Sequence, residues 1–362
     1  MEILLGKTLE ELQAVAMGIG LPKFAGKQLA EWLYVRRVHS FDEMSNISLK
    51  GRESLKDRYL VGRHAPVREA VSADGTRKYL FEISDLGASG SQSAPQYVES
   101  VYIPEEDRAT LCVSTQAGCK MGCRFCMTGT LGFHGNLSAA EILNQVFEID
   151  AMAVADGREA LSNLVFMGEG EPMDNIDEVL RTLTIMTASY GCAWSPKRIT
   201  VSTVGVPAMK RFLDKSECHL AVSLHNPFSI ERALIMPAEK IMSVTEVISL
   251  LKQYDWSHQR RVSFEYICWA GQNDTPRHAK ELLRLLKGLN CRINLIRFHE
   301  GVENVARTNK DERHFPGSDE KQMEWLRDYL TANGVTTTIR RSRGEDILAA
   351  CGMLVNSLSS NR

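Results

Sequence analysis

Three cysteines stand at Cys-x-x-x-Cys-x-x-Cys spacing in the run Cys119, Cys123 and Cys126, with Gly118 before them and Gly122 between. Three thiolates on one short loop can hold three corners of a cubane iron–sulfur cluster, whose usual protein ligands are four cysteines. One iron then lacks a protein ligand, and an open metal position is where chemistry takes place, as open zinc sites show. A structural zinc site is the alternative, but such sites use Cys-x-x-Cys pairs set apart along the chain. Plain buried cysteines are the third possibility. A second chemical run is Phe166-Met167-Gly168-Glu169-Gly170-Glu171-Pro172. Its glycines let the backbone approach a bound cofactor closely, and Glu171 can meet an amine or a hydroxyl; an ordinary Gly-Pro turn from strand to helix is the competing reading. Ser202, and Ser223-Leu224-His225, offer small hydroxyls and an imidazole to a polar ligand, although a serine there can simply cap the next helix. Cys112 lies seven residues before Cys119, and Cys351 follows Arg340, Arg341 and Arg343. Nearby cations favour a thiolate, which makes Cys351 a candidate nucleophile. Cys192, Cys218, Cys268 and Cys291 have no such setting and read as small core residues.

The elements that must position these residues alternate from residue 110 onward. Strand patterns fall at 110–114, 163–167, 198–203, 219–224, 261–267 and 291–298. Amphipathic helical patterns fall at 138–152, 177–189, 244–252, 276–289 and 319–333, and a last strand pattern follows at 336–340. Short apolar strands separated by helices imply a parallel sheet. Six such units predict an α/β fold built as a partial (β/α)6 TIM-like barrel rather than a closed eight-unit one. Active sites of such sheets lie at the carboxyl ends of the strands. The cysteine loop follows the first strand there, and Glu171, Ser202 and Ser223 end the next three, so one constellation is expected. The first fifty residues read as helical, with Thr8 and Glu11 spaced as a capping box, a second pattern from Lys27 and a third beginning at Ser48. The division expected is a small helical domain over 1–60, a β-rich linker region over 61–104, and a core over 105–362. The Gly- and Ser-rich stretch 85–95 reads as a surface loop.

With 362 residues, 44% hydrophobic and 24% charged, the chain is ordinary for a globular protein. A net charge of -2 is not that of an electrostatically dominated nucleic-acid binder, so RNA contacts would come from local basic patches. Nine cysteines without an apolar secretory segment point to a reducing compartment, hence the cytoplasm. No apolar run is long enough to cross a bilayer.

Five segments together resemble the RlmN/Cfr family of radical S-adenosylmethionine (SAM) methyltransferases, which act on an adenosine carbon of RNA. They are Leu111 to Cys119, Cys126 to Phe133, Phe166 to Pro172, Ser223 to His225 and Ala349 to Gly352. The resemblance implies that Cys119, Cys123 and Cys126 hold a 4Fe-4S cluster (radical SAM core), whose open iron is chelated by SAM. Gly170, Glu171, Ser202, Ser223, Leu224 and His225 match SAM-binding positions, and His299 stands where the family has a further contact. Two SAM molecules are used per turnover. One methylates Cys351; the second yields a 5′-deoxyadenosyl radical that takes hydrogen from that methyl group. The methylene radical adds to the adenine ring, Glu99 matches the position that removes the ring proton, and Cys112 then attacks Cys351, forming a disulfide that releases the RNA. The chemistry calls for such a relay: the target carbon is an electron-poor aromatic C–H, so a polar methyl transfer has no nucleophile, and covalent catalysis splits the step.

The sequence departs from the family pattern at Glu169, where Met is usual, and at Arg297 and His299, where Pro and Asn are usual. The resemblance implies carbon-2 methylation in 23S rRNA at the peptidyl-transferase centre and in tRNA at the adenosine 3′ of the anticodon. It also implies a low-potential electron donor such as flavodoxin or ferredoxin, and a monomer. Methylation at carbon 8, which confers antibiotic resistance, is the alternative within the family. A non-catalytic iron–sulfur or zinc RNA-binding protein is the alternative of another class; Cys112 and Cys351 speak against it, since binding needs neither. Lys23, Lys27, Arg36, Arg37, Lys50, Arg52, Lys56 and Arg58 of the helical module are candidates for phosphate contacts, or simply solvated helix faces.

Overall fold

The computed structural model describes residues 1–83, 95–256, 262–298, 316–350 and 352–354. His299, Cys351 and all but Pro95 of the Gly/Ser stretch 85–95 lie outside the described residues.

The helical module comes first. Helix α1 (Leu9–Gly18) is opened by the expected capping box, in which the Thr8 hydroxyl accepts from the Glu11 N–H and the Glu11 carboxylate accepts from the Thr8 N–H. Helix α2 (Ala25–Ala30) continues into a π-helical turn, Glu31–Val35, and α3 (Leu49–Arg58) is capped by Ser48. Two short strands, β1 (Glu2–Ile3) and β2 (Tyr59–Leu60), pair in parallel and tie the start of the module to its end.

The remaining chain is organised on one sheet of ten strands among the described residues. Three strands from the segment read as a linker, β3 (Arg68–Val71), β4 (Arg77–Ile83) and β5 (Gln96–Pro104), form an antiparallel meander. Strand β6 (Ala109–Cys112) pairs antiparallel with β5 and parallel with the next strand of the core. The small antiparallel pair β7 (Gln116–Gly118) and β8 (Phe133–Asn136) then brackets the cysteine loop. Beyond it lie β9 (Leu161–Phe166), β10 (Ile199–Thr203), β11 (His219–Ser223), β12 (Val262–Cys268), β13 (Cys291–Arg297) and β14 (Thr336–Ile339). All of these pair in parallel with their sequence neighbours, and the full order is β14-β13-β12-β11-β10-β9-β6-β5-β4-β3.

Helices return the chain from each parallel strand to the next. They are α4 (Ala139–Ala155), α5 (Ile176–Thr187), α6 (Met209–Lys215), α7 (Ser229–Ile235) with α8 (Val244–Gln253), α9 (Pro276–Leu286) and α10 (Glu320–Ala332). Six strand–helix units leading to a seventh parallel strand are the α/β arrangement expected from the alternation. Strand ends agree with the sequence reading to within two residues. Burial explains why the strands read so clearly: β12 is buried at all seven positions, as a central parallel strand covered on both faces should be.

The module docks on α4. Arg37 pairs with Asp150 and His39 with Glu148 (3.0 Å), which also takes Arg63 of the segment that follows the module (2.7 Å). Gly6, at φ +85°, lies so close to α4 that a Cβ would come within 2.7 Å of the Ala140 nitrogen. One continuous apolar cluster runs from Leu4 and Leu33 through Phe147 to Leu330.

Candidate active site

A cavity of about 490 Å³ opens at the carboxyl end of the parallel strands, as the topology demands. Cys119, Cys123 and Cys126 line it from the loop between β7 and β8. Only glycine can turn that loop: Gly118 has φ +72°, and a Cβ there would stand 1.8 Å from the Gly132 carbonyl oxygen. The Cys119 N–H donates to that same carbonyl at 2.9 Å, and the Cys126 N–H closes a turn onto the Cys123 carbonyl at 3.1 Å. Burial pushes the Cys119 thiol up to about 12 and raises Cys123 and Cys126 as well; each also feels at least one of the charges around the loop, Cys119 and Cys123 that of Cys126. Among the described residues, no three metal-binding side chains are gathered around one point as they stand. Even so, three thiols on one glycine-turned loop, facing a common cavity, are a donor set for a 4Fe-4S cluster. Ligation would remove their protons, since thiolate is the binding form.

The strand-end residues read from the sequence meet at this cavity. Gly170, at φ +95°, and Glu171 line it. Both Glu171 oxygens are engaged: the Met173 N–H donates to Oε1 at 3.0 Å and the Val204 N–H to Oε2 at 2.8 Å. Burial holds this carboxyl up to about 7. The Ser202 hydroxyl lines the cavity and donates to the Phe166 carbonyl at 2.7 Å; Ser223 lines it from β11. His225 has φ +54°, and its Nδ1 accepts from the Ile267 N–H at 3.1 Å. Burial lowers its pKa to about 3, so the ring is neutral, wedged edge-on against Phe125 at 4.7 Å between centroids. Leu224 is different: its side chain is fully buried in the core and does not line the cavity, and its N–H donates to the Glu265 carbonyl at 3.0 Å.

Cys112 also lines the cavity, from the end of β6. It packs in one apolar cluster with Ala349 and Leu354. Ala350 and Gly352 line the same space, so the chain on both sides of position 351 is laid against the cysteine loop. Two hydrogen bonds hold it there, from the Met127 N–H to the Gly352 carbonyl (2.8 Å) and from the Thr128 hydroxyl to the Leu354 carbonyl (3.1 Å). Glu99 is not among the lining residues. It is fully buried on β5, with its carboxylate 3.1 Å from the Lys78 ammonium, which also donates to the Leu348 carbonyl at 3.4 Å. Behind it stands Glu169, 1% exposed, whose Oε1 accepts from the Glu99 N–H at 2.8 Å. Burial and the nearby Glu99 charge raise the Glu169 carboxyl to about 8.

Three functional positions escaped the sequence reading. Lys78 neutralises Glu99 across the β4–β5 pair. Arg232, 1% exposed, donates to the Val204, Ser223 and Leu224 carbonyls at 2.6, 2.9 and 2.9 Å and pairs with Glu239, tying the ends of β10 and β11 together. Glu265 lines the cavity from β12. A signal for Glu265 was present, in polar Ser263 and Glu265 alternating within an otherwise apolar central strand; no local pattern marks Lys78 or Arg232.

The chain matches two family models: "Ribosomal RNA large subunit methyltransferase N-terminal domain" over residues 3–61, and "Radical SAM superfamily" over 113–286. A protein of Phocaeicola vulgatus named "Probable dual-specificity RNA methyltransferase RlmN" is 54% identical, with 97% of this chain and 94% of that protein covered. The "Dual-specificity RNA methyltransferase RlmN" of Syntrophobacter fumaroxidans is 38% identical, with 96% of each covered. A crystal structure of a radical SAM methyltransferase from Sphaerobacter thermophilus superposes with a TM-score of 0.85 at 34% identity, covering 98% of this chain and 99% of that one.

Proposed function

The chain belongs to the RlmN family of radical SAM RNA methyltransferases, which work with a 4Fe-4S cluster and SAM, and from that membership we propose that it methylates carbon 2 of adenosine in 23S rRNA and in tRNA. The observation that carries the reading to this chain's own residues is the placement of Ala350 and Gly352. They bring the segment that holds Cys351 to the cavity lined by Cys112 and the three loop cysteines.

In this reading Cys119, Cys123 and Cys126 hold the cluster, and Gly170, Glu171, Ser202, Ser223 and His225 surround SAM, with Leu224 fixing that strand end from the core and His299 as a further contact. A cluster held by these cysteines would supply the electron for reductive cleavage of bound SAM. Cys351 receives a methyl group on sulfur, losing its thiol proton, and carries the carbon to the adenine ring. Glu99 takes the ring proton. For that to happen the Glu99–Lys78 pair has to open, and because Lys78 also holds the Leu348 carbonyl, displacement of the segment before Cys351 is the movement that opens it. Once the ring adduct has given back its unpaired electron, the Cys112 thiolate attacks the Cys351 sulfur: an S–S bond forms, the Cys351–carbon bond breaks with its electron pair going to the carbon, and that carbon takes a proton from solvent to leave methylated RNA. Residues 1–60 serve as the RNA-binding module, 61–104 as the β-rich region beside the site, and 105–362 as the catalytic core. The enzyme acts as a cytoplasmic monomer and draws electrons from a low-potential donor such as flavodoxin or ferredoxin. No helix among the described residues is long and apolar enough to cross a membrane.

Nucleoside mass spectrometry of rRNA and tRNA from a deletion strain tests the activity. Loss of 2-methyladenosine is expected; its persistence, or loss of 8-methyladenosine instead, overturns the reading. A Cys112→Ala variant should be isolated with RNA covalently attached, and RNA-free protein from that variant argues against the disulfide exit.

A further inference from the structure

Among the described residues, Glu265 is the one carboxylate that lines the cavity from the middle of the parallel sheet. It is 5% exposed, and it sits on β12 in register with Ser223 of β11 on one side and Asn294 of β13 on the other. In a parallel pair such partners project from the same face, so Glu265 and Ser223 stand side by side over the cavity floor. One oxygen is fully used: the Asn294 amide donates to Oε1 at 2.8 Å, the Ser263 hydroxyl approaches it at 3.4 Å, and the Thr338 hydroxyl steadies Asn294 by donating to Oδ1 at 2.9 Å. The other oxygen, Oε2, is buried and finds no hydrogen-bond donor among the described residues; the Arg340 guanidinium lies 3.6 Å away, an ion pair beyond hydrogen-bond length.

A buried carboxylate oxygen without a donor is costly, because the group has surrendered water without replacing it. Ser263 of its own strand, Asn294 of β13 and Arg340 just past β14 hold this one beside a space the size of a nucleoside-bearing ligand. A ligand that satisfies it must bring a neutral donor. A cation is not called for, since Arg340 already balances the charge. Paired hydroxyls answer that description, and a carboxylate reading a ribose hydroxyl is a recurrent solution in nucleotide sites. We propose that Glu265 Oε2 accepts a hydrogen bond from the ribose hydroxyls of SAM, with Arg340, Asn294 and Ser263 as the positioning residues that hold the carboxylate for it.

The inference rests on the reading that SAM occupies this cavity, but not on which RNA carbon is methylated. Its test is therefore equilibrium binding, without turnover, to the cluster-loaded full-length protein. The probes are S-adenosylhomocysteine and its 2′-deoxy and 3′-deoxy analogues, and RNA binding is measured in parallel. Loss of a hydrogen bond to a charged acceptor should weaken binding by roughly tenfold or more. The wild-type protein should lose that factor with at least one deoxy analogue. Glu265→Gln, which keeps the side-chain shape, should lose a similar factor with the parent ligand and little more with the same analogue. RNA affinity should stay unchanged. The proposal is overturned if wild-type protein binds both deoxy analogues as tightly as the parent, if the deoxy penalty is undiminished in Glu265→Gln, or if the variant loses RNA affinity alone. The wild-type comparison stands even where a Glu265 variant folds poorly. Failure of wild-type protein to bind S-adenosylhomocysteine at all would sink both this proposal and the assignment of the cavity.

Discussion

Replacing Glu169 by Gln or Met should shift stability in the variant's favour, relative to wild type, by an increment that grows as pH rises towards 8. Glu169 is 1% exposed; Oε1 takes the Glu99 N–H, while Oε2 is buried without a hydrogen-bond partner among the described residues. Its carboxyl stays protonated up to about 8 in the fold, against 4.5 for the ordinary group. Below pH 4.5 both the folded and unfolded chains keep the proton, and the group costs nothing. Above it the unfolded chain releases the proton and the folded chain does not, so stability is lost steadily until about pH 8. The slope is about 1.4 kcal/mol per pH unit. Between pH 5.5 and 7.5 the wild type should therefore lose roughly 3 kcal/mol relative to either variant. Gln leaves amide hydrogens unsatisfied and Met alters the packing, so the absolute offset of each variant is arbitrary; the pH slope of the difference is not. Urea unfolding of wild type and both variants under anaerobic conditions at pH 5.5, 6.5 and 7.5 measures it. A difference independent of pH, in both variants, would refute the assignment of Glu169 as a buried neutral acid.

Other perturbations follow from the same geometry. Arg232→Met strands the Glu239 carboxylate and three carbonyls in the interior and should cost about 3–5 kcal/mol, read from the urea midpoint; a change under about 1 kcal/mol would contradict the role assigned to it. Gly118→Ala combines a left-handed backbone with a Cβ 1.8 Å from the Gly132 oxygen, so the variant should be purified with much less iron and sulfide than wild type, and full iron content would contradict the close approach. Because burial raises all three loop thiols, protons compete strongly with iron there. Chelator extraction of iron should accelerate with each unit of pH lowered from 8 to 6, and a flat profile would exclude that competition.

The parallel core was legible because buried strands such as β12 are continuous apolar runs and its helices are amphipathic and capped, α4 by Ser138 and Glu141 and α8 by Ser243 and Glu246. The pieces that were missed are short or depend on distant partners. Strand β3 and the β7–β8 pair have four residues or fewer each, and their pairing is set by neighbours rather than by periodicity. Helices α6 and α7 have only seven residues, below the length at which a 3.6-residue period declares itself. Cysteine spacing marked the loop, and strand ends marked Glu171, Ser202 and Ser223, since topology alone sends such residues to one rim. Nothing local to Lys78 announces that it will meet Glu99, or to Arg232 that it will hold three carbonyls of two other strands. These are consequences of register, fixed only when the sheet assembles. Glu99 was marked by resemblance to the position that takes the ring proton, and the pairing of its carboxylate with Lys78 is likewise a matter of register.

In the reading proposed above, in which the helical module grips RNA, its docking on α4 makes it a measuring arm. Its contacts are a salt-bridge cluster at Glu148 and Asp150, on the flank of the helix that leads straight back from the cysteine loop, and a glycine seated against the first turn of that helix. A flexible tether would let the module collect RNA from any direction. A rigid mount instead fixes the distance between whatever the module grips and the cavity mouth. A substrate must then match that span in its folded shape before its base can enter, so the selection among RNAs is architectural before it is chemical.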